Sequence, residues 1–484
     1  MNIRAISRNV GVALLFVAAF MLLSAVVAAL NHLDSSFYPL LLSGILTLCC
    51  GAFPLVFVTR RQAEINTREG VVIILLSWVL ACVAGMMPYA LWGGEFTLAN
   101  AWFESVSGIT TSGATILTDI EALPKGLLFW RSSSHYIGGL GVVLFMVMIL
   151  PSIGSVRLKM SRMEVSDVTR PGFNYKTDEF KKVVLSVYIG LTVINAVLYM
   201  LAGMDVFDAV NHAMSTVATG GFSTKNASIG AFGSRWIEVI AIIFMILSSM
   251  HFGMIYLFVA KRNLSLFRHP VTKFYLMSII ISGVAVSACL FLTKTYDSLS
   301  DALMDGFFNV ASLVSSTGFA VCDTSVWPLF CILILLYLSV QCGCSGSTSA
   351  GMKVDRVWIM FKAIRIQLQR TLHPNAVIQV KYGDNDIVDK DLITSVSLFA
   401  VLYLFIAFVC SVIYAGLGMD ITDSLTASIS MIGNIGPAFG SFGSLSNYAA
   451  VSAFGKLVMT IEMIIGRLGL FSVLSIFLLF RKGV

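Results

Sequence analysis

Long apolar runs alternate with short polar segments along this chain, and that alternation sets the reading. A helix crossing a bilayer core needs about 20 apolar residues. Runs of about that length lie at residues 10–30, 38–59, 70–92, 127–151, 183–203, 236–260, 274–292, 327–341, 392–417 and 456–480, and they predict ten membrane-crossing helices. The first run follows Arg4 and Arg8. It exceeds the roughly 7–15-residue apolar core of a signal peptide and reads as a retained span.

Four of the connecting stretches are of a third kind, semi-polar, too short to span and ending in a glycine turn. They are AWFESVSGITTSGAT (101–115), DAVNHAMSTVATGGFS (208–223), DGFFNVASLVSSTGFA (305–320) and DSLTASISMIGNIGPA (423–438). Each lies between two full runs, and the turn recurs roughly every 100 residues, which reads as one span–half-helix–turn–span module used four times. The first two runs fall outside this repeat, as an N-terminal addition. Irregular backbone at membrane depth is tolerated only where protein buries it or where it lines a wet cavity. Four turns on one pseudo-fourfold axis would aim carbonyl oxygens at a common centre, an arrangement that replaces the hydration shell of a monovalent cation. The C-terminal, negative ends of the half-helices favour the same charge. Thr110, Thr111, Ser112, Thr219, Ser316 and Thr317 add hydroxyls near the turns. The plainer alternative is four interfacial loops with turn glycines and no ion. It does not explain why half-helix, glycine and flanking spans recur together.

Two further features interrupt the apolar pattern. The run from 327 gives way to QCGCSGSTSAG (341–351), too rich in Gly, Ser and Cys for a helix interior. Such a stretch belongs inside a permeation path or marks a kink packed with small residues. Arg467 sits within the last run, where an arginine costs roughly 2.5–3.5 kcal/mol on insertion scales and usually faces a wet cavity or a partner. Glu462 is a candidate ion-pair partner for it. His135, His212 and His251 read as hydrogen-bonded span residues rather than metal ligands, and Gly138, Gly139 and Gly141 as helix-packing positions.

Composition agrees with this pattern. Of 484 residues, 57% are hydrophobic and 12% charged, and the mean hydropathy is +0.88. Soluble domains carry about a quarter charged residues, so an ordinary soluble enzyme, a disordered chain and a nucleic-acid binder are excluded. Most of the 32 Lys and Arg lie in alternate connecting segments: the N-terminus, 60–69, 152–182, 261–273, 353–390 and the C-terminal Arg481 and Lys482. Basic loops stay on the cytoplasmic side, which places both termini there. Those loops also suit anionic lipid or a protein partner. The acidic residues Glu104, Asp119, Glu121, Asp205, Asp208, Asp301, Asp305, Asp420 and Asp423 fall on the other side. There they can concentrate cations, while Asp208, Asp305 and Asp423 also read as half-helix caps. The nine cysteines lie mostly in apolar runs, without metal or disulfide spacing, and read as buried thiols. No nucleotide-binding motif is visible. Convergent titratable groups beyond Glu462 and Arg467 are lacking, which argues against a membrane-embedded enzyme.

With FESVSGITTSGAT (103–115), HYIGGLG (135–141), TGGFST (219–224), SGST (345–348), HPNA (373–376), NIGP (434–437) and GRL (466–468), the chain resembles the TrkH branch of the Trk/Ktr/HKT superfamily of potassium transporters over essentially its whole length. The resemblance implies an all-α integral membrane fold of four M1–P-loop–M2 repeats around a pseudo-fourfold pore, plus two N-terminal helices. Its segments would be the N-terminal pair 1–69, repeats 70–151, 183–271, 272–370 and 391–484, and cytoplasmic linkers 152–182 and 371–390. It also implies a filter from Thr111, Ser112 and Gly113; Thr219, Gly220 and Gly221; Ser316, Thr317 and Gly318; and Asn434, Ile435 and Gly436. In this superfamily, serine at the first filter glycine goes with sodium permeation; all four positions here are glycine, which favours potassium. The intramembrane gating loop would be 342–351, with Gly343, Ser345, Gly346, Ser347, Thr348 and Gly351, opposed by Arg467 as a positive barrier. Cys342, Cys344, Ser349 and Ala350 make this loop poorer in glycine than is usual in the family. The expected function is gated K+ uptake across a bacterial cytoplasmic membrane by a homodimer controlled by a cytosolic nucleotide-binding RCK subunit of the TrkA type. The alternative is a sodium- or proton-coupled symporter of the same architecture.

Overall fold

The computed structural model describes residues 2–59, 66–149, 177–262, 265–373 and 390–479. Among these residues every regular element is a helix, with no strand. Two long helices come first, α1 (Ile3–Leu30) and α2 (Phe37–Phe57). Glycines bring them together: a methyl group added at Gly11 would stand 2.6 Å from the Gly51 carbonyl oxygen, and one at Gly51 would stand 2.9 Å from that of Gly11. Small residues permit this backbone contact and the dispersion that comes with it. The Arg8 guanidinium donates to the Leu55 and Val58 carbonyls and closes the end of α2.

Four modules follow. The first comprises α3 (Thr67–Trp92), α4 (Leu98–Ile109) and α5 (Lys125–Ile149). The second comprises α6 (Thr177–Leu201), α7 (Val206–Val217), α8 (Arg235–Ser248), α9 (Phe252–Lys261) and the short α10 (Ser265–Arg268). The third has α11 (Pro270–Leu292), α12 (Leu299–Val314), α13 (Leu329–Gln341) and α14 (Val354–Leu372). The fourth has α15 (Lys390–Gly416), α16 (Ile421–Gly433), α17 (Ala453–Leu468) and α18 (Leu470–Leu479). In each module the short second helix, α4, α7, α12 or α16, is buried among longer ones. The long helices are apolar outward: Leu398, Val401, Leu404, Phe405, Phe408 and Val412 of α15 are exposed, while Ser105, Ser107, Asn211, Ser312 and Ser428 are buried. Such a molecule has hydrocarbon as its solvent. Among the described residues, six helices are long and apolar enough to cross a membrane.

Several expectations from the sequence need correction. The run at 236–260 is not one helix: α8 and α9 meet at a 107° bend across Ser249–His251. The polar SSMH (248–251) signalled it. The last run is split too, at Gly469, whose φ of 86° ends α17. Asp208, Asp305 and Asp423 are not the caps of their half-helices. The N-caps are Thr97, Asp205, Ser298 and Asp420, and α12 begins at Leu299, so Asp305 lies well inside it. The cysteines divide: Cys82, Cys331, Cys342 and Cys344 are buried, whereas Cys49 and Cys50 are exposed on α2. The basic segments 60–65, 152–176 and 374–389 and the C-terminal Arg481 and Lys482 lie outside the described residues.

The outer loops close a ring from module to module. The Ile120 amide donates to the Asn226 side chain at 2.7 Å, and Asn226 donates back to Asp119 at 2.8 Å. That amide holds the Asp119 carboxyl below its ordinary pKa. The Gly230 amide donates to the Ala320 carbonyl at 3.2 Å. The Ser444 hydroxyl donates to the Cys322 carbonyl at 2.7 Å, and the Tyr448 amide to the Thr115 carbonyl at 2.8 Å.

The α1–α2 contact gives a direct expectation. Gly11→Leu forces the two backbones apart and costs about 1–3 kcal/mol through overpacking, whereas Gly190→Ala, with open space around it, is near neutral. Thermal unfolding of the detergent-purified variants measures the difference.

Candidate ion pore

Each half-helix ends in the same hydrogen-bonded motif. The amides of Ser112, Gly220, Thr317 and Ile435 donate to the carbonyls of Ser107, Ser215, Ser312 and Ser430, five residues back. The amides just before them, of Thr111, Thr219, Ser316 and Asn434, donate to Gly108, Thr216, Leu313 and Met431. This pair of bonds is a Schellman cap, which requires a left-handed residue after the helix. Thr111 (φ 57°), Thr219 (53°), Ser316 (57°) and Asn434 (50°) supply it, none of them glycine. A β-branched threonine in that region is an outlier that persists only where its surroundings over-determine it.

Two residues later φ is positive again, at Gly113 (80°), Gly221 (84°), Gly318 (79°) and Gly436 (98°). Here glycine is required twice over, by the backbone angle and by the neighbouring turn. A methyl group at Gly113 would stand 2.2 Å from the Gly220 carbonyl oxygen, and one at Gly221 2.1 Å from that of Thr317. One at Gly318 would stand 2.0 Å from the Ile435 carbonyl oxygen, and one at Gly436 2.5 Å from that of Ser112. The contacts run from turn one to two, two to three, three to four and four to one, so the four turns form a closed ring. The Ser112 hydroxyl donates to the Asn434 side chain at 2.7 Å across the last junction. All twelve residues expected to form a filter are thus gathered in one place.

The amides point back into the half-helices, and the turn carbonyls face away from them. Among the described residues nothing donates to the carbonyl of Thr111, Ser112, Gly113, Thr219, Gly220, Gly221, Ser316, Thr317, Gly318, Asn434 or Ile435. That of Gly436 accepts from the Tyr448 hydroxyl at 2.9 Å, which makes the fourth wall unlike the others. Glycines also let the outgoing helices press on the ends of the half-helices. A methyl group at Gly138 would lie 1.9 Å from the Ile109 carbonyl oxygen, and one at Gly466 2.0 Å from that of Ile432.

The stretch 342–353 is non-helical and packs into the α8–α9 break. The Cys344 amide donates to the Ser249 carbonyl at 2.8 Å, and the Phe252 amide to the Gly346 carbonyl at 3.1 Å. Each interruption therefore satisfies the other's freed backbone groups. Within the stretch, the Gly343 amide donates to the Ser349 hydroxyl at 3.0 Å and the Ser347 hydroxyl to the Cys344 carbonyl at 2.6 Å, while the Ser345 amide donates to Asp355 of α14 at 2.6 Å. The Gly346 and Gly351 φ angles are positive, at 75° and 72°. So is that of Cys342, at 54°, a conformation glycine would hold without strain. The stretch also touches the turns: the Ser316 and Ser349 hydroxyls lie 2.9 Å apart, and the Ala350 amide donates to the Ser316 hydroxyl at 3.1 Å. The Thr348 hydroxyl lies 2.9 Å from the Val217 carbonyl at the end of α7.

Arg467 does not pair with Glu462. Its guanidinium donates to the Thr348 carbonyl at 2.8 Å and to the Gly138 carbonyl at 3.3 Å. Glu462, fully buried, accepts instead from the hydroxyls of Tyr414 and Ser428. Tertiary packing decided this, since both partners of Glu462 are distant in sequence. His135 bonds the Ser215 hydroxyl at 3.1 Å and stacks on Phe222, and His212 bonds Ser223 at 2.8 Å, as expected. His251 differs: it packs its ring on Gly346, and neither nitrogen has a hydrogen-bond partner among the described residues.

Residues 39–482 match the family model TrkH, described as a cation transport protein. The Trk system potassium uptake protein TrkH of Halomonas elongata is 33% identical over 482 residues, covering 99% of this chain and 98% of that protein. The protein of the same name from Salmonella typhimurium is 31% identical over 480 residues, covering 99% of each. The crystal structure of the potassium transporter TrkH from Vibrio parahaemolyticus superposes with a TM-score of 0.89 at 30% identity, covering 100% of this chain and 99% of that one. These matches concern transporters rather than enzymes, and the chain belongs to the TrkH family of cation transport proteins.

Proposed function

We propose that this protein takes up K+ through a gated, channel-like pore whose selectivity filter is the ring of four turns. The observation that carries the reading is the closed cycle of glycine-to-carbonyl contacts, 113 to 220, 221 to 317, 318 to 435 and 436 to 112. A ring of carbonyls without donors has an unmet need that a dehydrated monovalent cation meets. Potassium uptake is also what the relatives from Halomonas and Salmonella are named for.

The stretch 342–351 serves in this reading as the gate, with Arg467 as the positive charge that discourages cations beneath the filter. The hydrogen bond from Arg467 to the Thr348 carbonyl latches the two together in a closed state. Bonds from Ser349 and Ala350 to Ser316 tie the gate to a filter residue, so opening it disturbs the third wall. The membrane potential supplies about 2.3 kcal/mol per charge per 100 mV, enough to draw K+ inward. Both termini are assigned to the cytoplasm of the bacterial inner membrane from the distribution of Lys and Arg. A homodimer and a nucleotide-binding RCK partner of the TrkA type follow from the family resemblance, with the partner docking on the basic cytoplasmic segments. Unitary current steps in planar bilayers test the pore reading, and obligatory coupled proton or sodium flux is the outcome that sinks it.

Two variants test the parts. Gly113→Ser drives an atom into the Gly220 carbonyl and opens the ring. The ratio of K+ to Na+ uptake into proteoliposomes should fall about tenfold, the change that ~1.4 kcal/mol of lost differential coordination makes. An unchanged ratio refutes the filter assignment. Arg467→Gln removes the charge and the latch, and basal K+ uptake per inserted protein should rise about tenfold, consistent with losing an intramembrane charge barrier. Uptake at or below the unmodified rate argues against the gate.

A further inference from the structure

We infer that Arg131, which lies on α5 behind the turns, is a positioning residue that sets the spacing of the first and second filter walls. This inference rests on the pore reading and deepens it. Arg131 is a fully buried guanidinium, 1% exposed, and each of its three nitrogens donates a hydrogen bond. Its Nε donates to Glu104 on α4 at 2.9 Å, its Nη2 to the Thr115 hydroxyl at 3.3 Å and its Nη1 to the Ser223 carbonyl at 3.0 Å. Its flat face lies 4.0 Å from the centre of the Phe222 ring. Thr115 stands two residues after Gly113, while Phe222 and Ser223 directly follow Gly221. One side chain therefore grips the outgoing limbs of two adjacent turns.

Glu104 completes the grip. Its carboxylate, itself 0% exposed, accepts from the Thr115 hydroxyl at 3.0 Å and from the Ile116 amide at 3.1 Å. Half-helix, turn exit and outgoing helix of the first module are thereby joined and carried across to the second. The other half-helices use simpler ties. Asp208 accepts from the Thr224 hydroxyl at 2.7 Å and Asp423 from the Ser441 amide at 2.9 Å, each within its own module. In the third, Asp305 bonds outward to Tyr296 and Arg235. Arg235 reaches Asp305 from the second module but is half exposed, whereas the strut of Arg131 at the first-to-second junction is buried and bonds the residues that leave the turns. A buried ion pair contributes little net stability against an apolar replacement. What it does fix is geometry, because the planar fork admits one arrangement of its partners. A carbonyl ring that must fit a dehydrated ion depends on such spacing.

The test measures K+ and Na+ uptake into proteoliposomes together with the amount of protein inserted, for Arg131→Met, Arg131→Lys and Thr115→Val. A merely structural role lowers the amount inserted and leaves the ratio of the two fluxes unchanged. The expected result is a K+/Na+ ratio reduced about tenfold in Arg131→Met and about threefold in Thr115→Val, as suits lost charge-assisted bonds, with Arg131→Lys intermediate. If Arg131→Met does not reach the membrane, Thr115→Val, nearly isosteric, decides. A ratio unchanged in every variant that inserts overturns the proposal. Gly113→Ser run alongside separates the two failures: if it lowers the ratio while the strut variants do not, the filter stands and the role of Arg131 is refuted.

Discussion

The constraint on which the rest of the structure depends is the fate of backbone polar groups at membrane depth. Hydrocarbon offers no hydrogen bonds, so every amide and carbonyl must be met by protein, by an ion or by water held in a cavity. The half-helices resolve this asymmetrically. Each Schellman cap draws the turn's amides back to the carbonyls of its own helix, such as Ser112 to Ser107 and Thr317 to Ser312. Among the described residues the carbonyls of the turns are left without donors, except that of Gly436, which accepts from Tyr448. One such turn would be a defect. Four of them are packed so closely that no side chain fits between Gly113 and Gly220 or between Gly318 and Ile435, which gathers their carbonyls in one ring.

The same constraint accounts for the region beneath. Two interruptions, at Ser249–His251 and at 342–353, would each leave backbone groups unmet. They lie against one another, with Cys344 bonded to Ser249 and Phe252 to Gly346. Arg467 takes up the Thr348 carbonyl, and Ser316 takes up the Ala350 amide. The stretch is buried almost throughout, and Cys342, Cys344 and Met352 join the apolar clusters around it, so it is held by packing as well as by these bonds. Its left-handed Cys342, where glycine would be unstrained, adds a cost in this conformation that a family member with glycine there would not bear.

The potassium transporter TrkH of Vibrio parahaemolyticus shares this architecture over nearly its full length at 30% identity. The backbone carries the fourfold plan, and the side chains break it: Asn434 replaces the hydroxyl residue in the fourth turn, the Tyr448 hydroxyl donates to Gly436, and Arg131 bonds the exits of the first two turns. Equal carbonyl geometry on unequal supports is what an internal repeat becomes when each copy is free to vary.

The sequence by itself determined the long helices, the four half-helices, the glycine turns and the presence of a non-helical stretch after Gln341, because hydrophobic run length and glycine placement are local signals. It also pointed to the twelve turn residues, through spacing and family resemblance. Its failures were of another kind. The 107° bend at Ser249–His251 was marked in the sequence by no more than the short polar SSMH inside an apolar run, since the energy that stabilises it comes from the 342–353 stretch almost a hundred residues away. Glu462 and Arg467 looked like a pair because they are near in sequence, yet their distances to Tyr414, Ser428 and Thr348 decide otherwise. The left-handed threonines and the grip of Arg131 on two turns were likewise settled only in three dimensions. Propensity describes a residue among its chain neighbours, whereas a strained or buried polar residue is held by whatever the fold brings against it.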